Sequence, residues 1–546
     1  MPRRLPAALA LCSGLALAVP AVLTATPAVA APVGGAAKAC PTPATLTFAE
    51  PTYVDKTRAG GEPLVATLPS GRLVYSSHAG TTHFFTPDAA NPGTAAFAEN
   101  YTGQTYVWTS DDSGKTWQFR PRTAPPSNLP LTGFSDPEVA VDSAGNVFFS
   151  EINLANVAVS KSTDKGETFT LQNFFGAILT DRQWMEADRK DELYFVANAF
   201  GGGTGTTPSP GLGHYISKST DGGKTFSTNI PDREGGPGIG DIRVDKRTGT
   251  VYETHHPSYG TRPGTLSMAA FRNARSGDLT PETLTIAEGV DSVSHWPAFD
   301  LDPSGNLYVV WDESGKGDRP AGIYFATSRN GARTWSKPVR VDNNDNTDIW
   351  PWLAVGDDGR VAMSWLEADV ALPDNDAETP GDHGWRLQAA ATTTGLGCAS
   401  STVPSFSVAT ATKEPLHTGT ICQGGTTCQA QAIDRRLGDY FSMDVDGTGR
   451  MYLGYSDTRV PGAVSLPGFV RQAGGPSLLA PKSAPGRVPT ATTGQPASAV
   501  PAGALPRPAS TLPTTGSDAL LPAAGALLLL GLGLAVRRRA SGFALR

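Results

Sequence analysis

Ser110-Asp111-Asp112-Ser113-Gly114-Lys115-Thr116-Trp117 returns as Ser162-Thr163-Asp164-Lys165-Gly166-Glu167-Thr168-Phe169 and as Ser219-Thr220-Asp221-Gly222-Gly223-Lys224-Thr225-Phe226. A degraded copy is Ser328-Arg329-Asn330-Gly331-Ala332-Arg333-Thr334-Trp335. A short run of strand formers precedes each: Tyr106-Val107-Trp108, Val157-Ala158-Val159, His214-Tyr215-Ile216 and Ile323-Tyr324-Phe325. The pattern reads as a hairpin. The Asp carboxylate caps turn amides, the Gly takes a φ > 0 position, and the Thr and aromatic begin the return strand with the ring packed inward. The Asp residues of this octapeptide are therefore read as structural rather than catalytic.

A second repeat lies upstream of these hairpins, of the form x-P-x-x-x-x-D-x-x-G followed by an apolar strand. Its clearest copies start at Glu62-Pro63, Asp136-Pro137 (with Asp142 and Gly145) and Trp296-Pro297 (with Asp302 and Gly305). Looser copies start at Arg182, Ile239, Trp350-Pro351 and Tyr440, which makes seven, at spacings from 46 to 90 residues. Each copy supplies an inner strand, a tight turn and a second strand, and the octapeptide hairpin supplies a third and a fourth. Four antiparallel strands repeated radially predict an all-β chain folded as a β-propeller of seven blades, with six or eight also compatible. A parallel β-helix is the alternative, but its repeats would be shorter. Residues 46–54 are expected to return to the last blade and close the ring.

Composition agrees with a turn-rich β protein. Among 546 residues, 61 are Gly and 45 Pro, while 39% are hydrophobic and only 17% charged. Long helical bundles are excluded. The net charge of -7, with acids and bases interspersed, offers no basic stripe, so nucleic acid is not an expected partner.

The two ends read as addresses. Met1-Pro2-Arg3-Arg4, an apolar run from Leu5 to Leu23 and Ala28-Val29-Ala30 form a secretory signal peptide cut after Ala30, with the twin arginines leaving the export route open between Sec and Tat. Residues 472–511 contain eight prolines, three charges and no aromatic, and read as a semi-rigid stalk. Leu512-Pro513-Thr514-Thr515-Gly516, the uncharged run Ala519 to Val536 and Arg537-Arg538-Arg539 then follow. This arrangement resembles the sortase sorting signal of Gram-positive surface proteins. The resemblance implies cleavage between Thr515 and Gly516 and covalent attachment to peptidoglycan, with sortase and peptidoglycan as partners and the cell-wall surface as location. The domains are thus 1–30, 41–471, 472–511 and 512–546. Cys12 leaves with the signal peptide, and the other four of the five cysteines suit an oxidising compartment. The expected pairs are Cys422 with Cys428 and Cys40 with Cys398.

In a propeller the segments entering the innermost strands surround one mouth of the central channel. The ring of candidate ligand-binding residues reads Glu62, Asp136, Asp181, Arg182, Asp241 with Arg243, His295, Trp296, Asp348, Trp350, Asp439 and Tyr440. Carboxylates beside flat aromatic faces suit sugars, because C–H faces stack on rings while hydroxyls bond to carboxylates.

The octapeptides match the Asp-box, S-x-D-x-G-x-T-W/F, and Asp-boxes on a propeller resemble the sialidase superfamily over roughly residues 44–471. The resemblance implies six blades, three arginines on a substrate carboxylate, a Tyr nucleophile with its Glu, and an Asp acid/base. Arg182 and Arg243 would be two of the arginines, and Tyr440 or Tyr455 the nucleophile. The chain departs from the pattern where Gly61-Glu62 precede the first blade's proline, in place of the Arg of a Phe/Tyr-Arg-Ile-Pro motif. A carboxylate there repels an anionic sugar. The expected function is a surface propeller that binds extracellular glycan or protein at the channel mouth without sialidase activity. An exo-α-sialidase-type glycoside hydrolase is the alternative.

No cofactor is required by this reading, and no metal site is assigned. Adjacent His255 and His256 project to opposite sides of a strand and read as exposed loop. Asp342-Asn343-Asn344-Asp345-Asn346 is oxygen-rich enough for a structural Ca²⁺ but lacks a bidentate Glu at the twelfth place.

Overall fold

The computed structural model describes residues 39–78, 85–87, 95–97, 105–120, 135–152, 156–175, 180–199, 213–227, 230–233, 240–256, 263–293, 297–424, 428, 433–459 and 465–481. These form seven four-stranded antiparallel blades with almost no helix. The innermost strands are Gly61–Thr67, Ser135–Val141, Thr180–Ala187, Ile242–Val244, Ala298–Leu301, Asp348–Val355 and Ser442–Val445, in blades 1 to 7. Seven replaces the six implied by the sialidase resemblance.

Both repeats do what their residues dictate. In blade 2 the Asp142 carboxylate accepts the amides of Ala144 (2.9 Å) and Asn146 (3.0 Å), while Gly145 sits at φ 79°. In the first octapeptide, Asp112 accepts the Lys115 and Thr116 amides at 3.0 and 2.9 Å and the Thr116 hydroxyl at 2.6 Å. Asp164 and Asp221 repeat the bond to the Thr hydroxyl, at 2.5 and 2.6 Å. Two consecutive residues, not one, take positive φ: Ser113 with Gly114, Lys165 with Gly166, Gly222 with Gly223, and Gly331 with Ala332 in the degraded copy. That is the backbone of a tight turn whose twist suits a hairpin.

The ring closes as expected. Thr47–Phe48 and Thr52–Tyr53 both pair with Leu466–Gly474, the third strand of blade 7, and so supply its outer edge. A Cys40–Cys398 disulfide, Cα–Cα 5.9 Å, ties this segment to blade 6, and Cys422–Cys428 forms the second expected pair. The folded unit runs past position 471, where composition placed the stalk. The last strand reaches Gly474, Leu478 is fully buried, and the Ala480 amide donates to Asp357 at 2.7 Å. The segments read as signal peptide and sorting signal, and most of the stretch read as a stalk, lie outside the described residues.

The blades pack through aromatic wedges. Tyr75 of blade 1 donates to the Gly468 carbonyl of blade 7 (3.0 Å), and the Trp117 ring meets Phe469 edge-on at 5.2 Å. Gly114 (φ 77°) lies against the same Phe469 ring, whereas Gly145 (φ 79°) faces open space. Gly145→Ala is therefore expected to cost about 1 kcal/mol through backbone strain alone. Gly114→Ala should cost roughly 1–3 kcal/mol more, because a methyl there runs into the ring. Equal losses in thermal denaturation would contradict the closure packing between blades 1 and 7.

Candidate functional site

The two ends of the propeller differ in their connections. At one end, first and second strands are joined by five or six residues in every blade. At the other, second and third strands are separated by 27 residues in blade 1, 13 in blade 3 and 15 in blade 6. Short turns are scaffold, while long connections carried on a rigid frame are where binding groups concentrate. The lead-ins to the innermost strands open on this long-loop end.

Those lead-ins share an unusual backbone. Glu62 (φ 45°), Asp136 (φ 51°), Arg182 (φ 52°) and Trp350 (φ 55°) all take left-handed conformations without being glycine. At Glu62, Arg182 and Trp350 the innermost strand shifts register against the second, between Gly61 and Leu64, Asp181 and Trp184, and Ile349 and Trp352. Opposite Asp136 the shift falls between Ser150 and Ile152. A bulge of this kind turns one side chain out of the pleat. Each costs on the order of 1–3 kcal/mol and persists where the surroundings compensate.

The compensation is a buried ion cluster drawn from blades 1, 2, 3 and 7. The Arg182 guanidinium pairs with Asp439, with Asp136 at 3.3 Å and with Glu62 at 3.8 Å. Arg435 pairs with Asp439 and donates to the Gly438 and Cys422 carbonyls at 2.9 and 3.1 Å. Glu62 accepts the Asp439 amide at 3.0 Å, and its other oxygen lies 3.5 Å from His78 Nε2. Burial, followed by Asp136 and Asp439, pushes the Glu62 carboxyl well above its ordinary range. Burial, followed by Arg435, depresses His78 to about 3. Burial thus favours the neutral forms of Glu62 and His78 within the cluster.

Tyr440 is held in the same assembly. Its hydroxyl donates to the Pro137 carbonyl at 3.1 Å, and Arg182 lies over its ring at 5.4 Å. The ring stacks on Trp352 and meets Trp184 at 5.4 Å, and burial raises the phenol well above its ordinary value. Beside it a cavity of about 10 Å³, room for one water, is lined by Trp350, Leu437, Phe441 and Tyr455 among others. A sugar cannot enter it.

Deeper in the channel lies a second, partly wetted set. Arg243 pairs with Asp241 at 2.5 Å and approaches Asp300 at 3.7 Å. Burial raises Asp241 to about 7 and Asp444 to about 6, and lifts Glu138 well above its ordinary value. These carboxyls have a structural task. An innermost strand is a sheet edge facing the channel, and its amides need acceptors. Asp444 accepts the Thr67 amide (2.5 Å), Ser442 that of Val65 (2.9 Å) and Asp300 that of Val355 (3.1 Å).

Of the expected ring, Glu62, Asp136, Arg182, Asp439 and Tyr440 meet, while Asp241 and Arg243 sit down the channel. Asp348 is buried in blade 6, accepting the Trp365 indole N–H at 2.7 Å, and Trp350 donates to Gln423 at 3.3 Å. Tyr455 is buried in the blade 7 core. The Asp181 side chain, His295 and Trp296 lie outside the described residues. His255 and His256 are buried rather than exposed, at 1% and 6%, because the strand Val251–His255 runs up against blade 3. The Arg340 guanidinium pairs with Asp342 (2.6 Å) and Asp345 (3.2 Å) and donates to the Asn344 carbonyl, so a guanidinium already fills the stretch read as Ca²⁺-compatible. Sequence reasoning missed His78 and Arg435. Arg435 precedes Asp439 by four residues, a signal in plain view, whereas His78 ends a second strand and the ring was read from first strands alone.

No protein-family model matches the chain, and no curated protein matches it. Solved structures similar to it include a protein of unknown function from Dyadobacter fermentans, with TM-score 0.41 and 15% identity over 78% of this chain and 99% of that one. An alpha-L-arabinanase of Penicillium chrysogenum has TM-score 0.37 and 13% identity over 79% and 98% of the two chains. The NanB sialidase of Streptococcus pneumoniae has TM-score 0.37 and 14% identity over 79% and 70%.

The buried acids give the fold a pH signature. A carboxyl raised by folding stabilises the protein fully below its unfolded pKa, and that contribution is lost as pH rises through the folded value. For Asp241 the loss is complete just above about 7, and Glu62, raised well above its ordinary range, contributes in the same sense. His78 acts in the opposite sense: its contribution is complete above 6.5 and is lost as pH falls through about 3. Above pH 6.5, where His78 has made its contribution, the raised carboxyls lower the melting temperature as pH rises, and Glu62→Gln is expected to show a shallower fall than the parent. Parallel profiles in parent and Glu62→Gln would contradict a raised Glu62.

Proposed function

We propose that this chain is a wall-anchored surface protein that binds extracellular glycan or protein ligands on the long-loop face of its propeller and does not hydrolyse sialosides. One observation carries the reading. Arg182 is engaged by Asp439, Asp136 and Glu62, and the Tyr440 hydroxyl by a backbone carbonyl. A sialidase needs guanidiniums available to the substrate carboxylate and a phenol free to attack, and bidentate recognition fails when the fork is already filled. Arg243, the other arginine carried over from the resemblance, is paired with Asp241. Binding energy is then expected from the loops around the mouth, with the buried ion cluster as their rigid floor. The stalk of residues 472–511, shortened at its start by the strand reaching Gly474, would hold this face away from the wall.

Incubation of residues 31–515 with a fluorogenic sialoside is expected to give no turnover above buffer. The same protein should bind immobilised extracellular glycans or surface proteins. Turnover that disappears in Arg182→Ala, with folding verified by circular dichroism, would replace the binding reading with the hydrolase. The location is tested separately: deleting residues 512–516 should move the protein from the wall fraction to the medium, and an unchanged wall fraction would contradict sortase anchoring.

A further inference from the structure

Apart from the central cluster, blades 3 and 4 bring three metal-ligating side chains together at the long-loop end. Glu253 and His255 lie two residues apart on Val251–His255, so both project from one face of that strand. His214 comes from the neighbouring blade, near the start of Gly213–Ser219. All three are buried, at 0%, 1% and 2% exposure, and one ligand atom from each lies within 4.8 Å of the other two. His214 Nε2 contacts one Glu253 oxygen, and His255 Nε2 stands 3.5 Å from the other. The two imidazole rings meet edge to face, centroids 6.0 Å apart. Bonds of ~2.0–2.1 Å around a tetrahedral ion set donor atoms roughly 3.4 Å apart, so small side-chain adjustments suffice.

The neighbouring strand fixes the tautomer. Asn198, directly opposite His214, offers its carbonyl oxygen to Nδ1 at 2.8 Å. An amide oxygen only accepts, so Nδ1 carries the proton and the Nε2 lone pair faces Glu253. Two electron-rich atoms in contact need a positive charge between them, a proton or a metal ion. An outer hydrogen bond that orients a ligating imidazole is the usual support of a metal site. Two imidazoles are among the partners of the Glu253 carboxylate, one at each oxygen.

We propose that His214, Glu253 and His255 form a divalent-metal site between blades 3 and 4. Two nitrogens and one carboxylate favour Zn²⁺ and leave a fourth position for water or a ligand group. The site shares no residue with the central cluster and stands whether or not the glycan reading does.

The full chain, stripped with a chelator, is titrated with Zn²⁺ and with Co²⁺ at pH 7.5. One ion per chain is expected, with visible Co²⁺ absorption of four- or five-coordinate strength. Affinity should fall as pH drops below about 6.5, where imidazoles protonate. His255→Gln and Glu253→Gln should each weaken binding at least 100-fold, and Asn198→Ala by about 10-fold. His383→Ala, outside the site, should bind as the parent does. Failure of the parent chain to take up either ion stoichiometrically overturns the proposal and leaves a proton-bridged histidine–carboxylate triad. So does uptake unchanged in both ligand variants. If a variant does not fold, the parent's stoichiometry and Co²⁺ spectrum decide.

Discussion

Every blade depends on the closure made at Leu466–Gly474. A four-stranded sheet with two apolar faces is stable only between two neighbours, so seven sheets in a row leave two faces bare unless first and last meet. Here the first and last blades meet through Tyr75, Trp117 and Phe469. The outer edge of the last blade comes from Thr47–Phe48 and Thr52–Tyr53, so the two ends of the folded unit share one sheet. The Cys40–Cys398 link fastens the same segment across 358 residues. Long cross-links of this kind restrict the unfolded chain most, by a typical 2–4 kcal/mol.

Closure creates the problem that the channel solves. Seven innermost strands become seven sheet edges facing inward, and their amides cannot all reach water. Asp444, Ser442 and Asp300 accept amides from the adjacent innermost strand, and Glu138 and Asp241 accept those of their own next residues. Gathering so many carboxyls in a narrow space makes ionisation expensive, which is why burial lifts Asp241, Asp444 and Glu138. The acidity of the channel is thus a consequence of edge-strand accounting before it is a statement about ligands.

What the sequence disclosed follows from which interactions are local. The Asp142 and Asp112 turns, the blade count and the returning N-terminal strand were legible because each rests on a repeated spacing along the chain. So were Glu62, Asp136, Arg182, Asp439 and Tyr440 as neighbours, since the repeat converts linear positions into a ring. Their engagement with one another was not legible. Which carboxylate meets which guanidinium depends on side chains turned by bulges, and register shifts leave no compositional trace. His214 and Glu253 were hidden for another reason: they belong to third and second strands of different blades, and the ring was read from first strands alone.

The same geometry shows how fully the most conspicuous charged residues are engaged with one another. An arginine serves a ligand only if its own surroundings leave it under-neutralised, and Arg182 has three carboxyls within reach. Removing it would leave Asp136 in a dry interior without its guanidinium and Asp439 with Arg435 alone, a loss on the order of 3–5 kcal/mol for a broken buried pair. Arg182 is therefore tied to the bulges that it stabilises, and strain at Glu62, Asp136 and Arg182 is relieved by the cluster those bulges create. On the proposed binding reading, specificity for a partner is written in residues under less structural obligation. On this propeller those are the connections of the long-loop face, where length varies from blade to blade while the turns at the opposite end stay fixed.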